Sequence, residues 1–203
     1  KKWFYDQSRF RDYLKTRQAG ISEAFAQEAV RNCLKFSRDI IMVSSSQRQA
    51  SYLAQKCDKW ISAYALAYER NTNKKFKLLN NGKNQKTLPN GKSIFCLPPN
   101  PATIRSYAGD VYLDEMAFYK QAEEVYISAI GIITRGYNLS IASTPKGKLG
   151  KFYDITTDLV KYPKFSRHKI DIYEAIKQGL NVDIEDIKQN LDEMSFGQEY
   201  LCQ

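Results

Sequence analysis

The chain has 203 residues, with 31 lysines and arginines against 22 aspartates and glutamates, a formal charge of +9. At 43% hydrophobic and 26% charged it has the composition of a globular domain, and a chain of this length buries roughly 70% of the surface its unfolded form exposes. Disordered, collagenous and fibrous classes are therefore excluded. The longest apolar run, 125–134, falls far short of the ~20 residues a bilayer span requires, and the opening KKWFYDQSRF has no signal-peptide core. Both point to the cytosol and away from a membrane.

The four cysteines, at 33, 57, 96 and 202, form no CxxC pair, and His168 is the single histidine. That spacing argues against a structural zinc site and a disulfide framework. It also argues against serine or cysteine hydrolase chemistry, for which His168 would be the only available base. The positive balance favours an anionic partner, a nucleic acid or a nucleotide.

In chain order, FRDYLK (Phe10–Lys15) is a short strand-like run, and the turn TRQAG leads into a helix. Its apolar face is Phe25, Ala26, Ala29, Val30, Cys33 and Leu34. DIIMV at 39–43 reads as a buried strand. It is followed by Ser44-Ser45-Ser46 and a helix over about 47–68, with Leu53, Ala54, Cys57, Trp60, Ile61 and Tyr64 on one side. Strand, helix, strand, helix predicts an α/β fold around a parallel sheet. Residues 71–92 carry six lysines and no acid, with Asn81-Gly82 and Asn90-Gly91 marking hairpin turns. This segment reads either as a solvated insertion or as a loop facing nucleic acid. Strands are expected at 93–97, 102–107 and 138–143, a helix at about 121–130, and a further α/β segment through FSRHKIDIYEAI. The first residue is not Met, and SFGQEYLCQ reads as a helix in progress, so the chain is expected to be a piece of something longer.

Two local patterns carry chemistry. Val111-Tyr112-Leu113-Asp114-Glu115 is an apolar strand ending in adjacent carboxylates, the Walker B pattern. Its first acid can hold a hydrated Mg²⁺ and its second can orient and deprotonate a water; two solvated acids at a strand end are the alternative. The turn at 15–22 lies where a phosphate-binding loop belongs, between a strand and a helix N-terminus. Measured against GxxxxGK[ST], Gly20 and Ser22 fit, whereas Ile21 stands at the lysine position and Lys15 at the first glycine. Lys15 and Arg17 keep positive charge in the loop. Ser22 followed by Glu23 equally suits an ordinary helix cap.

Taken together, these residues resemble the ATPase domain of tailed-bacteriophage terminase large subunits. That family tolerates a loop of the form K-x-R-Q-x-G-x-S, matched by Lys15, Arg17, Gln18, Gly20 and Ser22. The likeness continues in SSSQRQ (44–49), PNPATIRSYAGDVYLDEMAFY (99–119), IASTPKGKLGKFY (141–153) and FGQEYLC (196–202).

The resemblance implies a P-loop NTPase of the RecA-like (ASCE) type, with a core over 1–175 and a helical subdomain over 176–203 leading toward a nuclease domain that this chain does not contain. It implies ATP and Mg²⁺ as cofactors. Glu115, Lys15 and Arg17 would be catalytic. Lys15, Thr16, Arg17, Gln18, Ala19, Gly20, Ile21, Ser22, Ser143 and Thr144 would contact nucleotide, the last two belonging to the family's coupling motif. Ser22 and Asp114 would hold the metal. Arg105 and Arg135 are candidates for a charge-stabilising arginine. Adenine contacts would come from a Tyr-Gln pair before the tryptophan matching Trp3, ahead of residue 1, because Gln7 is no evident substitute. The implied partners are double-stranded DNA, a portal, a small terminase subunit and further copies in a ring, in the host cytoplasm. A helicase-like translocase and a silent DNA-binding module with a degenerate loop remain alternative readings.

Overall fold

A computed structural model describes residues 2–203. The elements are α1 (Lys2–Tyr5), β1 (Phe10–Lys15), α2 (Ile21–Phe36), β2 (Ile40–Val43), α3 (Gln47–Thr72), β3 (Asn80–Asn81), β4 (Gln85–Thr87), β5 (Ser93–Leu97), α4 (Pro101–Ile104), β6 (Asp110–Asp114), α5 (Ala122–Ile133), β7 (Leu139–Ser143), α6 (Lys151–Thr157), β8 (Phe165–Ile170), α7 (Ile172–Lys177), α8 (Ile184–Gln189) and α9 (Glu193–Leu201). They build one sheet in the order β3-β4-β5-β2-β6-β7-β1-β8. The six strands from β5 to β8 are parallel, and β3 and β4 add an antiparallel edge.

The apolar periodicity explains the layering. On one face, α2 and α3 bury Phe25, Ala29, Leu53 and Cys57 against Ile40, Met42 and Tyr112. On the other, α5 and α6 bury Val125, Ala129, Phe152 and Ile155 against Ile41, Leu113 and Ile141. β2, β6 and β7 are buried along their whole length, as sheet strands covered on both faces should be. Among the described residues no helix is long and apolar enough to cross a membrane.

Two elements differ from expectation. Residues 102–107 do not form a strand. The Asn100 side chain accepts from the Thr103 amide and Pro101 occupies the first turn, so the segment winds into α4. The two Asn-Gly turns do form hairpins, the first between strands of only two and three residues and the second between β4 and the five-residue β5. A division at residue 175 would fall inside α7, and α9 ends at Leu201, closed by Cys202 in a left-handed conformation.

Gly109 sets the start of β6. A Cβ there would lie 2.0 Å from the Asp39 carbonyl oxygen, which also accepts from the Asp110 amide. The clash is with backbone and cannot be relieved by a rotamer change. Gly109→Ala is expected to cost about 3 kcal/mol or more, read as a lower midpoint of urea unfolding. An unchanged midpoint would mean that β6 does not start against residue 39.

Candidate active site

β1 is a central strand that carries three buried charges, and each has its own setting. Arg11 donates to Glu28 of α2 at 2.6 Å and to Ser140 of β7 at 2.8 Å, with its guanidinium 4.2 Å above the Trp3 ring. Trp3 in turn donates to the other Glu28 oxygen. This network ties β1, β7 and α2 together, with Arg11 Nε left without an acceptor. Asp12 faces the opposite side, and neither of its oxygens has a hydrogen-bond partner. Burial pushes its carboxyl up to about 7, the opposing pull of its surroundings, the Arg167 charge among them, being smaller.

The folded state therefore keeps a proton on Asp12 that the unfolded chain releases above its ordinary value of 3.8. Stability is lost as pH rises through that window, by roughly 4 kcal/mol once the pH exceeds 7. Asp12→Asn is expected to melt at a higher temperature than the parent at pH 8, with the gap shrinking toward pH 4. A gap independent of pH would contradict the assignment.

The third charge, Lys15, ends the strand and is buried. Its Nζ lies 2.5 Å from Glu115 Oε1, across 100 positions of sequence. The loop then turns through Gln18 at φ +56 and Gly20 at φ +75, and α2 begins at Ile21 with no side-chain cap. Among the described residues, the amides of residues 18–23 have no hydrogen-bond acceptor. They lie at the positive end of a sixteen-residue helix, where unpaired backbone amides can bind an anion. Ser22 is not the N-cap; it lies within the first turn, and its hydroxyl donates to Asp114 Oδ2 at 2.7 Å.

Asp114 ends β6, one strand removed from β1 with β7 between them. Its Oδ1 is buried and has no hydrogen-bond partner. Burial, with the Glu115 charge beside it, pushes its carboxyl up to about 6. A buried carboxylate oxygen without a donor, next to a serine hydroxyl, is an all-oxygen pair suited to a hard cation such as Mg²⁺, which would also hold the carboxylate ionised. Two protein oxygens are few, so water and an anionic ligand would supply the remaining coordination. Among the described residues no group of three or more His, Cys, Asp or Glu is placed to hold a metal.

Glu115 takes a left-handed backbone, φ +58, a conformation that costs a non-glycine residue energy and recurs at functional sites. This turns its carboxylate across the sheet edge. Oε1 meets Lys15, and Oε2 accepts from the Thr144 amide at 3.3 Å and lies 3.4 Å from the Ser143 hydroxyl. The Tyr119 hydroxyl, 2.9 Å from the carbonyls of both Val43 and Asp114, pins the ends of β2 and β6.

The structure thus brings together Lys15, Gln18, Ala19, Gly20, Ile21, Ser22, Asp114, Glu115, Ser143 and Thr144. Thr16 and Arg17 turn elsewhere. Thr16 is buried, its amide donating to the Ile170 carbonyl, while the Arg17 amide donates to the Glu199 carbonyl. The Arg17 side chain points to the Glu199 carboxylate at 3.7 Å and is 60% exposed. Sequence reasoning missed this grip of α9 on the loop, together with the neighbouring bond from the Gly147 amide to Gln198. Glu199 lies 183 positions from Thr16, and no local pattern signals such a contact. Arg105 donates to Ser128 and lines a cleft of about 440 Å³ with Arg135; neither hydrogen-bonds the loop or the acid pair. Gln7 lines a polar cavity at the opposite end of β1 from the loop.

The profile of the family described as terminase large subunit, T4likevirus-type, N-terminal matches residues 12–203. The chain is 28% identical over 194 residues to the probable terminase large subunit gp28 of Escherichia phage Mu, covering 89% of this chain and 35% of that protein. It is 26% identical over 220 residues to the probable terminase ATPase subunit of Haemophilus phage HP1, covering 95% and 34%. It therefore spans about a third of the length of these curated relatives. Its fold is shared with the large terminase ATPase domain of Thermus phage P74-26, with a TM-score of 0.74 at 17% identity over 98% of this chain and 90% of that one.

Proposed function

Since the chain belongs to the terminase large subunit, T4likevirus-type, N-terminal family, we propose that it is the ATP-hydrolysing part of a motor that drives double-stranded DNA into a viral capsid. In this reading it works in the host cytoplasm with a portal, a small terminase subunit and further copies of itself. In it, the motor core is followed by a helical segment, ending in α9, that clasps its loop. The observation that carries the reading is the meeting of the loop and the acid pair: Lys15 on Glu115 at 2.5 Å and Ser22 on Asp114 at 2.7 Å.

The free amides of residues 18–23 and the positive helix end receive the phosphates of ATP. Lys15 ends the strand that leads into this loop and pairs with Glu115, so a triphosphate bound there competes with Glu115 for it. Once Lys15 engages phosphate, the Glu115 carboxylate is free to accept a proton. A water then attacks the γ-phosphorus in line, the bond to the ADP oxygen breaks, and the water proton passes to Glu115. Ser143 and the Thr144 amide hold Glu115 in position. Ser22 and Asp114 would hold Mg²⁺, whose positive charge offsets the charge on the phosphate oxygens.

Titration with a fluorescent ATP analogue and Mg²⁺ tests this reading. Saturable binding competed by ATP is expected, together with phosphate release from ATP. DNA binding with no nucleotide binding would instead make the chain a silent DNA-binding module.

A further inference from the structure

Between Glu69 and Asp110 the chain has eight cations and no acid. The fold gathers four of them, Arg70, Lys74, Lys75 and Lys77, at one place. α3 has 26 residues and so runs roughly 39 Å, from the Ser46 cap beside the C-terminal end of β2 to a last turn bearing Arg70. Asn73, left-handed at φ +58, stops the helix, and the chain then carries Lys74, Lys75 and Lys77 toward β3. Lys83, at the tip of the β3–β4 hairpin, lies instead near the start of α3, where its neighbour Asn84 accepts from the Ser51 hydroxyl. Lys74, Lys75 and Lys77 are exposed, and among the described residues none of the three, nor Arg70, has an ion-pair partner.

The backbone beneath them is fixed. The Phe76 amide donates to the Glu69 carboxylate at 2.9 Å, and the Phe76 ring packs edge-on against Tyr68. The Leu79 amide bonds the Thr87 carbonyl. Lys86, the buried lysine of the hairpin, is held by Asp58 at 2.8 Å and Asn81 at 2.9 Å. The ridge is thus built on anchored chain, with Lys86 used for structure and the other lysines left facing solvent. It stands at the far edge of the sheet from β1, with β5, β2, β6 and β7 between the hairpin and that strand, so it plays no part in the loop chemistry.

We infer that this ridge, Arg70, Lys74, Lys75 and Lys77, is the surface on which the chain holds the phosphate backbone of double-stranded DNA. Unpaired cations on a fixed ridge, where the Glu69 carboxylate is taken up by the Phe76 amide, suit phosphates and read no sequence. The choice of duplex DNA over another polyanion rests on the motor reading above. α3 joins this ridge to the edge of the sheet that carries the acid pair, and so gives it a direct mechanical route to the nucleotide site.

The test is the binding of a labelled DNA duplex across a salt series, with nucleotide affinity measured on the same proteins. Combining Arg70→Ala, Lys74→Ala, Lys75→Ala and Lys77→Ala is expected to weaken binding about tenfold or more at low salt. It should also flatten the slope of log affinity against log salt by about 3 to 4. A control with the same charge loss at the β8 edge, Lys161→Ala, Lys164→Ala, Lys169→Ala and Lys177→Ala, should keep most of the affinity. Equal loss in both variants, no loss in the first, or no binding by the parent chain would overturn the inference. If the motor reading fails instead, nucleotide binding is missing from all three proteins while the ranking on DNA persists.

Discussion

A Glu115→Gln variant is expected to bind ATP at least as tightly as the parent and to lose its hydrolysis. The amide has the shape of the carboxylate and retains an oxygen for the Thr144 amide, so the strained turn at φ +58 should persist. Two properties disappear: the ability to take a proton from water, and the charge that holds Lys15 at 2.5 Å. The first should cost about 10² to 10⁴ in turnover. The second releases Lys15 to the phosphates. Phosphate release under saturating ATP, alongside the affinity for a non-hydrolysable analogue, separates the two effects. Turnover at the parent rate would remove Glu115 from its role, and a large loss of affinity would mean that the pair supports the binding conformation.

Lys15→Ala should have the opposite signature. Lys15 is buried beside an anion site and the acid pair, so its charge acts where solvent screens it little. Its loss is expected to weaken nucleotide binding about 100-fold or more, with turnover falling in step. Arg17→Ala is the informative comparison. Arg17 is the more exposed cation, and Glu199 already engages both its amide and its side chain; an exposed pair of this kind contributes little. A small effect of Arg17→Ala beside a large one of Lys15→Ala is therefore expected in the same titration. The reverse ranking would mean that the loop reorganises when nucleotide binds and that Arg17 is the phosphate contact.

Much of this architecture is legible in the sequence because it depends on local periodicity. Phe25, Ala29 and Cys33 repeat at helical spacing, and IIMV is a buried strand by composition alone. An apolar run ending in Asp114-Glu115 can be placed at a sheet edge without knowing its neighbours. The turn with Gly20 before a patterned helix can be placed in the same way. Residues 102–107 mislead because Thr103, Ile104 and Tyr107 are β-branched or aromatic, whereas the Asn100 cap and Pro101 decide the first turn. What sequence could not supply are relations between distant segments. Nothing local says that Arg17 will face Glu199, that Arg11 will find Glu28 and Ser140, or that Asp12 will be buried without a donor. Composition shows six lysines in residues 71–92, but only the fold separates Lys86, committed to Asp58, from the neighbours left facing solvent.

The central claim is that Lys15 and Glu115 are two sides of one triphosphate site. A crystal structure of the chain with a non-hydrolysable ATP analogue and Mg²⁺ tests it most directly. The expected density has the terminal phosphate lying between Lys15 and Glu115, their ion pair opened, and the metal against Ser22 and Asp114. An analogue bound elsewhere, with the Lys15–Glu115 contact intact, would contradict it.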